Sequence, residues 1–533
     1  MSRRDVIGRG TWVDRVSHDL IERERKLGRS LDLIVTESGL GASGIPHVGS
    51  IADAIRSYAV TLAIRDMGYR SKTIAFADDM DGLRKVPAGL PLELEKHLLK
   101  PVSMIPDPFS CHDSYAGHMT GLLGEALDEC GVEYEAGSGF KMYESGALAP
   151  YIEKILLNWR IIGEKIEELT YQTKFKEVLP YFAVCGNCGR IYTTHALSYD
   201  DETKKVHYVC RGTEIKGAMF EGCGYEGEAD IRRAEGKLSW KAEFAARWAL
   251  LDVRFEAYGK DIADSVRVND WVSREILGFE PPMHVRYEMF LDVVGRKISK
   301  SIGNVFTPQI WLRYGSPESL IFYMLKRFRG TRRTSLETVR KTMLELDRFK
   351  DIYFGRVRLE NPAKLAKVKG LLEYSHRLEP VRDVVVPYGL VFNLAAASPP
   401  GRERDFVVSR LRSYGYVAEA VDEEVERKIG YAVNWVRDVG KRPRRKRVKV
   451  TEAERKAIGE LIGELLRVTD EEDIQNSVFE AARRHGLRPK EFFSTLYEVL
   501  IGRREGPRMG PLIMDMGPEN VSKILESCLK GKS

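Results

Sequence analysis

Long apolar runs are missing from this sequence of 533 residues. A membrane-spanning helix needs about 20 consecutive apolar residues, and the first residues, MSRRDVIGRG, lack the apolar core of a secretory signal. We therefore expect a cytoplasmic chain without membrane contact. Internal repeats and low-complexity tracts are also missing, and the length predicts several globular domains, because single cores stop growing well below this size.

Cysteine is scarce, with seven residues in the whole chain, and four of them fall in one window. A disulfide framework is not expected in a chain without an export signal. Cys185 and Cys188 form a C-x2-C turn, and Cys210 and Cys223 follow it. This spacing predicts a tetrahedral Zn²⁺ site, and because four thiolates leave no open position, the predicted role of the metal is structural.

Two alternatives to the zinc site stay open from the sequence, namely separately buried cysteines and a redox pair. His195 and His207 are further candidate ligands if one cysteine does not take part. The remaining cysteines, Cys111, Cys130 and Cys528, are scattered along the chain and carry no prediction.

A large excess of one charge is also missing, since the formal net charge is only +6. Its distribution is more informative. The segment GKRPRRKRVK at 440–449 contains seven cations in ten residues. It is either a solvated linker or a contact for a polyanion such as RNA.

The chain is organised around a strand, a glycine-rich turn and a helix between Leu31 and Met67. The apolar run 31–35 predicts a buried parallel strand, and residues 51–67 recur at helical spacing. The turn has neither the GxGxxG nor the GxxxxGK[ST] pattern, so the usual dinucleotide and P-loop sites have little support. His47, Gly49 and Ser50 stand at the helix N-terminus, where backbone N–H groups and the helix dipole favour an anion.

A second stretch, GRKISKSIGN at 295–304, follows the apolar run from Tyr287 to Val294. Lys297 and Lys300 flank Ser299 in this loop. A lysine-rich loop is usually a solvated surface. Paired with the upstream PHVG at 46–49, however, it resembles the two signature motifs of class I aminoacyl-tRNA synthetases.

The remaining periodicity predicts an α/β chain with a helical end. A strand at 72–77 runs into DDMDGLRKVP at 78–87, helical and turn-rich sequence follows to about residue 235, and few strands are expected after residue 304. The predicted helices are 12–27, 119–130, 149–169, 241–258, 309–314, 317–328, 363–378, 423–439, 451–468, 470–485 and 490–500.

Further motifs extend the resemblance to nearly the whole chain. They are WVD at 12–14, SGLGASGIPHVG at 38–49, DDMDGLRKVP at 78–87, WKAEFAARW at 240–248, GKD at 259–261 and LIGRREGPR at 500–508. Together they resemble the class I lysyl-tRNA synthetases, a family common in archaea and some bacteria. The segment 78–87 is the most specific of these motifs.

The resemblance implies an α/β fold. A Rossmann-type parallel-sheet catalytic domain would be split between 1–90 and 236–305. A connective insertion with a four-cysteine zinc site would occupy 91–235, a stem-contact region 306–362, and an all-α anticodon-binding domain 363–533.

The implied reaction is the ATP-dependent attachment of lysine to tRNA(Lys) through lysyl-adenylate, with release of AMP and pyrophosphate. ATP with Mg²⁺ is the implied substrate and Zn²⁺ a structural ion, and lysine activation is expected to need bound tRNA. A monomer is favoured over an oligomer.

The resemblance also assigns roles to residues. Catalysis in this reaction needs positioning and charge stabilisation but no side-chain nucleophile. The implied catalytic residues are His47, Lys297 and Lys300. The implied ATP-binding residues are His47, Gly49, Ser50, Gly259, Asp261, Lys297, Ser299 and Lys300. The implied lysine-binding residues are Gly39, Trp240 and Tyr287, and the carboxylate that meets the lysine amino groups is open among Glu37, Asp79 and Asp81.

Three positions depart from the family pattern. Ser50 stands where Asn or His is usual, Gly41-Ala42 replaces a usual Thr-Pro pair, and Ile262 replaces a histidine. An aliphatic side chain cannot replace a hydrogen-bonding imidazole. The alternatives are therefore a class I synthetase of altered amino-acid specificity, an inactive tRNA-binding relative and, last, a small-molecule nucleotidyltransferase.

Overall fold

The structure is a computed structural model. It describes residues 6–215, 217–292, 295, 306–327, 330–439, 448, 450–465, 467, 470–501, 504, 506 and 508–529. The predicted site residues Lys297, Ser299 and Lys300 lie outside the described residues, as does the basic segment 440–449 apart from Val448.

The strands are, in chain order, β1 (Ile34–Leu40), β2 (Ser71–Ala77), β3 (Glu135–Ser138), β4 (Tyr181–Ala183), β5 (Thr194–Asp200), β6 (Lys205–Cys210), β7 (Gly212–Ile215), β8 (Ala218–Glu221), β9 (Glu226–Asp230), β10 (Gly236–Leu238), β11 (Val253–Gly259), β12 (Met283–Tyr287), β13 (Phe290–Leu291) and β14 (Arg332–Arg333). The helices of the first two thirds are α1 (Trp12–Lys26), α2 (Ser50–Asp66), α3 (Tyr115–Glu129), α4 (Gly139–Glu144), α5 (Ala149–Leu157), α6 (Trp159–Thr170), α7 (Glu243–Leu251), α8 (Ala263–Trp271), α9 (Pro308–Tyr314), α10 (Pro317–Leu325) and α11 (Leu336–Tyr353). The later helices are α12 (Pro362–Ser375), α13 (Tyr388–Ala397), α14 (Glu403–Ser413), α15 (Glu423–Asp438), α16 (Glu452–Leu465), α17 (Glu471–Arg484), α18 (Pro489–Ile501), α19 (Met509–Met516) and α20 (Pro518–Leu529).

The chain forms two compact units. The first comprises Met1–Leu312, Pro317–Val339 and Asp351–Val381, and the second comprises Arg313–Ser316, Arg340–Lys350 and Arg382–Ser533. The four-part division expected from the sequence stays a prediction.

A five-stranded sheet organises the first unit. Its order is β12-β11-β1-β2-β3, and every neighbouring pair is parallel. The central strand β1 is buried along most of its length, and α2 packs against it with nearly all of its residues buried. Continuous burial on both faces is what a parallel sheet covered by helices requires. The predicted Rossmann-type parallel sheet is confirmed.

Two predicted elements in this unit are wrong in type or position. The helix predicted over 241–258 ends at Leu251, since Asp252 adopts a left-handed conformation, and β11 follows at once. Pairing of β11 with both β1 and β12 outweighs the local helical pattern. The strand predicted at 31–35 begins at Ile34 and continues to Leu40, so Gly39 lies in the strand and not in the turn.

One further prediction needs correction. The single helix predicted over 149–169 is divided at Asn158 into α5 and α6. In the apolar run that begins at Tyr287, β12 ends at Tyr287 and the two-residue β13 follows among the described residues.

Small antiparallel sheets lie between β3 and α7 in the chain. β5, β6 and β9 form one sheet, β7 and β8 form a hairpin, and β4 pairs with β10. Except for the β7–β8 hairpin, they share an apolar cluster with α5, α6 and α8 that includes Ile152, Ile162, Val206 and Val268. Within the segment 91–235, β3 itself belongs to the central sheet.

The second unit contains helices α13 to α20. Tyr388, Phe392 and Leu411 belong to an apolar cluster of α13, α14 and α15. A second cluster, with Leu461 and Phe492 among its members, is formed by α16 to α20. Capping residues fix the N-termini of some of these helices. At the start of α17, the Asp470 side chain accepts hydrogen bonds from the N–H groups of Glu472 and Asp473. The predicted helical C-terminal region is confirmed.

The close contact between α17 and α19 can be tested by substitution of a glycine. A Cβ atom at Gly510 in α19 would overlap the carbonyl oxygen of Glu471, whereas a Cβ at Gly459 in α16 would meet no atom within 4 Å. Alanine is the better helix former at both positions. We therefore expect Gly510→Ala to lower the free energy of unfolding by about 1–3 kcal/mol through overpacking.

Gly459→Ala is the matched control. It should raise the free energy of unfolding by about 0.5–1 kcal/mol. Denaturant unfolding of the whole protein measures both values, and equal effects of the two substitutions would contradict the packing of α19 on α17.

Candidate functional site

The turn from β1 to α2 holds the predicted anion site. The N–H of Ser50 donates to the carbonyl oxygen of His47 at 2.7 Å, and the Ser50 hydroxyl lies 3.5 Å from His47 Nδ1. A Cβ at Gly49 would stand 2.8 Å from the His47 ring and 3.2 Å from Phe290, so the turn requires glycine there. Among the described residues, no side chain caps the N-terminus of α2. A helix N-terminus without a side-chain cap is a suitable place for an anion.

The other predicted residues lie at the same edge of the sheet. Gly259 ends β11 and pairs with Tyr287, which ends β12, and Asp261 follows in a short 3-10 turn. A Cβ at Gly259 would stand 2.7 Å from Asp261 Oδ1 and 3.5 Å from the Tyr287 hydroxyl. Because parallel strands end at one edge, the topology brings together residues that are distant in sequence.

Tyr287 and Gly39 each have a buried arginine beside them. The guanidinium of Arg56 in α2 lies over the Tyr287 ring, 4.2 Å from its centroid. Arg247 Nη2 lies 4.0 Å from the position of a Cβ at Gly39. Sequence reasoning assigned no role to either arginine, although Arg247 lies in the motif at 240–248, because their buried partners come from other parts of the chain.

Arg247 is the centre of a buried ion cluster. Its guanidinium lies 2.6 Å from Glu37 Oε1 in an ion pair, 3.0 Å from Asp78 Oδ1 and 3.5 Å from Glu256 Oε1. Burial raises the pKa of Glu37 and of Glu256. The ion pairs therefore connect β1, β11 and the end of β2. The same strands are also joined by the hydrogen bonds of the sheet.

The three candidate carboxylates have different partners. Glu37 pairs with Arg247. Asp79 accepts from the Ser138 hydroxyl at 2.5 Å and the Phe140 N–H at 2.6 Å. Asp81 accepts from Lys237 Nζ at 2.6 Å and from the indole Nε1 of Trp240 at 3.1 Å. Each of them is held by groups of the chain itself.

The four cysteines of the predicted metal site come together. Each offers a sulfur within 4.8 Å of the others, with 3.5 Å from Cys185 to Cys223 and 3.8 Å from Cys188 to Cys210. Burial raises the pKa of Cys185 to about 12, whereas the N–H of Tyr225 lowers the pKa of Cys223 to about 6. A bound cation stabilises thiolates in both settings. The donor set fits a tetrahedral metal ion.

The two histidines named as further ligands have other partners. His195 Nε2 lies 3.0 Å from the carbonyl oxygen of Gly212, and His207 Nδ1 lies 3.4 Å from Glu228. The cluster is complete without them.

A second cluster was missed in the sequence. Asp107, Cys111, His112 and His118 also offer ligand atoms within 4.8 Å of one another. Cys111 Sγ lies 3.2 Å from His112 Nδ1 and 3.1 Å from His118 Nδ1, and Asp107 accepts the N–H groups of Cys111 and His112. Cys111 is thus not a scattered cysteine. The sequence pattern D-x3-C-H-x5-H contains all four residues. It was missed because it has one cysteine and lacks the C-x2-C pair that usually indicates a metal site.

Comparison with known proteins decides the family. A model of the family described as "tRNA synthetases class I (K)" matches residues 10–377. The chain belongs to this family. The resemblance drawn from the paired signatures at 46–49 and 297–301 is confirmed.

Curated relatives of this class I synthetase match it over nearly its full length. A lysine–tRNA ligase of Cenarchaeum symbiosum (strain A) is 48% identical over 98% of this chain and 100% of the relative. Lysine–tRNA ligases of Haloarcula marismortui (31%, covering 97% of this chain and 96% of the relative) and Roseobacter denitrificans (28%, covering 98% and 97%) also match.

Solved structures are more distant from this synthetase. A glutamate–tRNA synthetase from Elizabethkingia anophelis aligns with 93% of this chain and 99% of its own, with a TM-score of 0.39 and 14% identity. This likeness is too weak to carry an argument. In the part of the synthetase that the structure describes, no helix has both the length and the hydropathy that crossing a membrane requires.

The ion cluster predicts a pH-dependent stability. Burial raises the pKa of Asp78 to about 7, with Arg247 opposing the rise. The folded protein then binds this proton more tightly than the unfolded chain, so the stability that the group contributes is present below about pH 4 and is lost as the pH rises through 7. Replacing Asp78 by Asn removes this titration. The difference in the free energy of unfolding between Asp78→Asn and the natural chain should therefore rise by about 2 kcal/mol from pH 5 to pH 8, in favour of the variant.

Denaturant unfolding at the two pH values measures the difference. Asp200→Asn is the control, since its exposed carboxyl has a lowered pKa and does not titrate in this range. A difference for Asp78→Asn that stays constant with pH would contradict the burial of its carboxyl group beside Asp81 and Glu243.

Proposed function

We propose that this protein attaches lysine to tRNA(Lys), using ATP to form lysyl-adenylate and releasing AMP and pyrophosphate. The observation that carries the proposal is the 48% identity to a lysine–tRNA ligase over almost the whole of both chains. A constellation of the predicted ATP and lysine residues at one edge of the sheet supports it.

For ATP with Mg²⁺, the proposed binding residues are those of the β1–α2 turn and the end of β11. His47, Gly49 and Ser50 present an imidazole, backbone N–H groups and a hydroxyl to the phosphates. Gly259 and Asp261 face the nucleoside, with the glycine leaving room beside the aspartate. Lys297, Ser299 and Lys300, proposed from the sequence, would stabilise the departing pyrophosphate.

Lysine is proposed to bind at Gly39, Trp240 and Tyr287. Beside these residues lie the acids Glu37, Asp78, Asp81, Glu243 and Glu256 and the cations Arg56, Lys237 and Arg247. Acidic groups beside the pocket favour a cationic substrate over an acidic one. Ile262 packs with Trp240 and Tyr258 against the apolar cluster of Phe244 and Trp248, so it offers an apolar wall for a methylene chain.

Two metal ions are proposed as structural parts of the enzyme. The four cysteines at 185–223 have the donor set of a closed zinc site. Asp107, Cys111, His112 and His118 provide a mixed donor set that also suits Zn²⁺. Neither cluster shares a residue with the proposed ATP and lysine sites, and both lie in the proposed insertion at 91–235.

The transfer RNA is proposed to contact the later part of the chain. The stem-contact region at 306–362 and the helical domain at 363–533 follow the predicted division, with the basic segment 440–449 as a phosphate contact. A monomer is proposed as the functional form, acting in the cytoplasm.

Aminoacylation tests the proposed function. The natural chain should charge total tRNA with labelled lysine, and ATP–pyrophosphate exchange with lysine should need added tRNA. Failure with lysine but exchange with another amino acid would instead support altered specificity caused by Ile262. No exchange with any amino acid, with tRNA still bound, would support an inactive tRNA-binding relative.

Lys300→Ala provides the mechanistic control. Loss of a group that stabilises the transition state costs about 10²–10³ in rate, so exchange should fall by that factor while tRNA affinity stays nearly unchanged. Lys176→Ala, an exposed lysine paired with Glu167, should change neither quantity. An equal loss of exchange and tRNA affinity in Lys300→Ala would contradict its assigned role.

Metal analysis tests the two clusters. We expect two Zn²⁺ per chain in the purified protein. Cys188→Ser and His118→Ala should each lose one ion, because each removes one ligand of a different cluster. Cys130→Ser is the matched control, since Cys130 is buried outside both clusters and its loss should leave both ions in place. One ion or none in the natural chain would contradict one or both sites.

A further inference from the structure

A buried lysine stands next to the proposed amino-acid pocket without belonging to it. Lys237 lies in β10, outside the central sheet, and only 2% of its side chain is exposed. Its Nζ is 2.6 Å from Asp81 Oδ1 and 2.7 Å from Glu243 Oε2. Burial alone would lower the pKa of this lysine, but the two carboxylates raise it above the ordinary value, so the side chain is charged.

Asp81 connects this lysine to Trp240. The Asp81 Oδ1 atom that accepts from Lys237 also accepts from the indole Nε1 of Trp240, at 3.1 Å. The backbone of Trp240 is held separately, because its carbonyl oxygen accepts from Asn269 Nδ2 at 2.7 Å. Backbone and indole are therefore fixed by different groups, and the orientation of the indole depends on where Asp81 lies.

Glu243 completes the support behind Lys237. The Tyr143 hydroxyl donates to Glu243 Oε1 at 2.8 Å and itself accepts the N–H of Leu238 at 2.9 Å. Since Leu238 follows Lys237 directly, the network returns to the strand from which it starts. Such a closed network of buried polar groups holds each member in one position.

We propose that Lys237 is a positioning residue for the amino-acid site: it holds Asp81 in place, and Asp81 in turn sets the indole of Trp240 against the aliphatic part of the substrate. This inference rests on the proposed function, in which Trp240 lines the lysine pocket. It also gives Asp81 a role other than direct contact with the lysine amino groups, because its carboxylate binds Lys237 and the indole of Trp240 and acts on the substrate through that indole.

Removal of the Lys237 charge should disturb amino-acid binding more than ATP binding. Without the ammonium group, Asp81 and Glu243 are left as buried acids with no cation between them, and Asp81 must take up a proton or move. We expect Lys237→Met to raise the KM for lysine in ATP–pyrophosphate exchange about tenfold or more, with the KM for ATP changed less than about threefold. Lys237→Arg, which keeps the charge, should recover most of the lysine KM.

A double-mutant cycle distinguishes positioning from general loss of structure. Trp240→Phe removes the indole N–H that Asp81 accepts. If Lys237 acts through Trp240, Lys237→Met should raise the lysine KM much less in the Trp240→Phe background than in the natural chain.

Where Lys237→Met does not fold, Glu243→Gln replaces it in the cycle, since this substitution keeps the volume and removes one of the two counter-charges of Lys237. Additive effects, or a fall in kcat with both KM values unchanged, would overturn the proposal.

Lys205→Met is the matched control, because Lys205 forms an exposed 2.7 Å pair with Glu228 in the β6–β9 sheet and should leave both KM values unchanged. Exchange by the natural chain is measured first, so that failure of the proposed function is seen separately. In that event the indole ¹⁵N–¹H signal of Trp240, assigned by its loss in Trp240→Phe, still tests the inference. It should shift in Lys237→Met and not in Lys205→Met, and an unmoved signal would overturn the proposal.

Discussion

The guanidinium of Arg247 is the interaction on which the site depends. It comes from α7 and meets Glu37 in β1, Asp78 at the end of β2 and Glu256 in β11, all inside the protein. A buried cation among several acids is costly to remove, since loss of one partner of a buried pair typically costs about 3–5 kcal/mol. Three adjacent strands, two of which carry Gly39 and Gly259 of the proposed sites, are thereby fixed to one another and to α7.

The same edge of the sheet is also supported by residues of the segment between β2 and α7. Lys237 in β10 reaches Asp81, and Ser138 at the end of β3 reaches Asp79. The segment between β2 and α7 therefore contributes directly to the shape of the proposed pocket. Apolar clusters that include Leu99, Ile152 and Val206 support this segment and hold its polar groups in place.

Charge gives the pocket its proposed preference. Glu37, Asp78 and Glu256 share the single guanidinium of Arg247, and burial raises the pKa of Asp78 to about 7. In the proposed complex a substrate ammonium would place a second cation beside these acids. Ile262 adds an apolar surface beside Trp240. Acidic groups at one end and an aliphatic wall along the side are the two features that a lysine side chain requires of its site.

The sequence by itself determined the family, the parallel-sheet class, the turn at His47 and the C-x2-C of the metal site, because each depends on residues close together in the chain. The helices α15 and α17 also followed from local periodicity. Only the tertiary structure decided that 253–259 is a strand, because its partners β1 and β12 are distant in sequence. It also decided the roles of Arg247 and Lys237, since a buried cation is defined by the carboxylates that the fold brings to it and by no pattern around the residue itself.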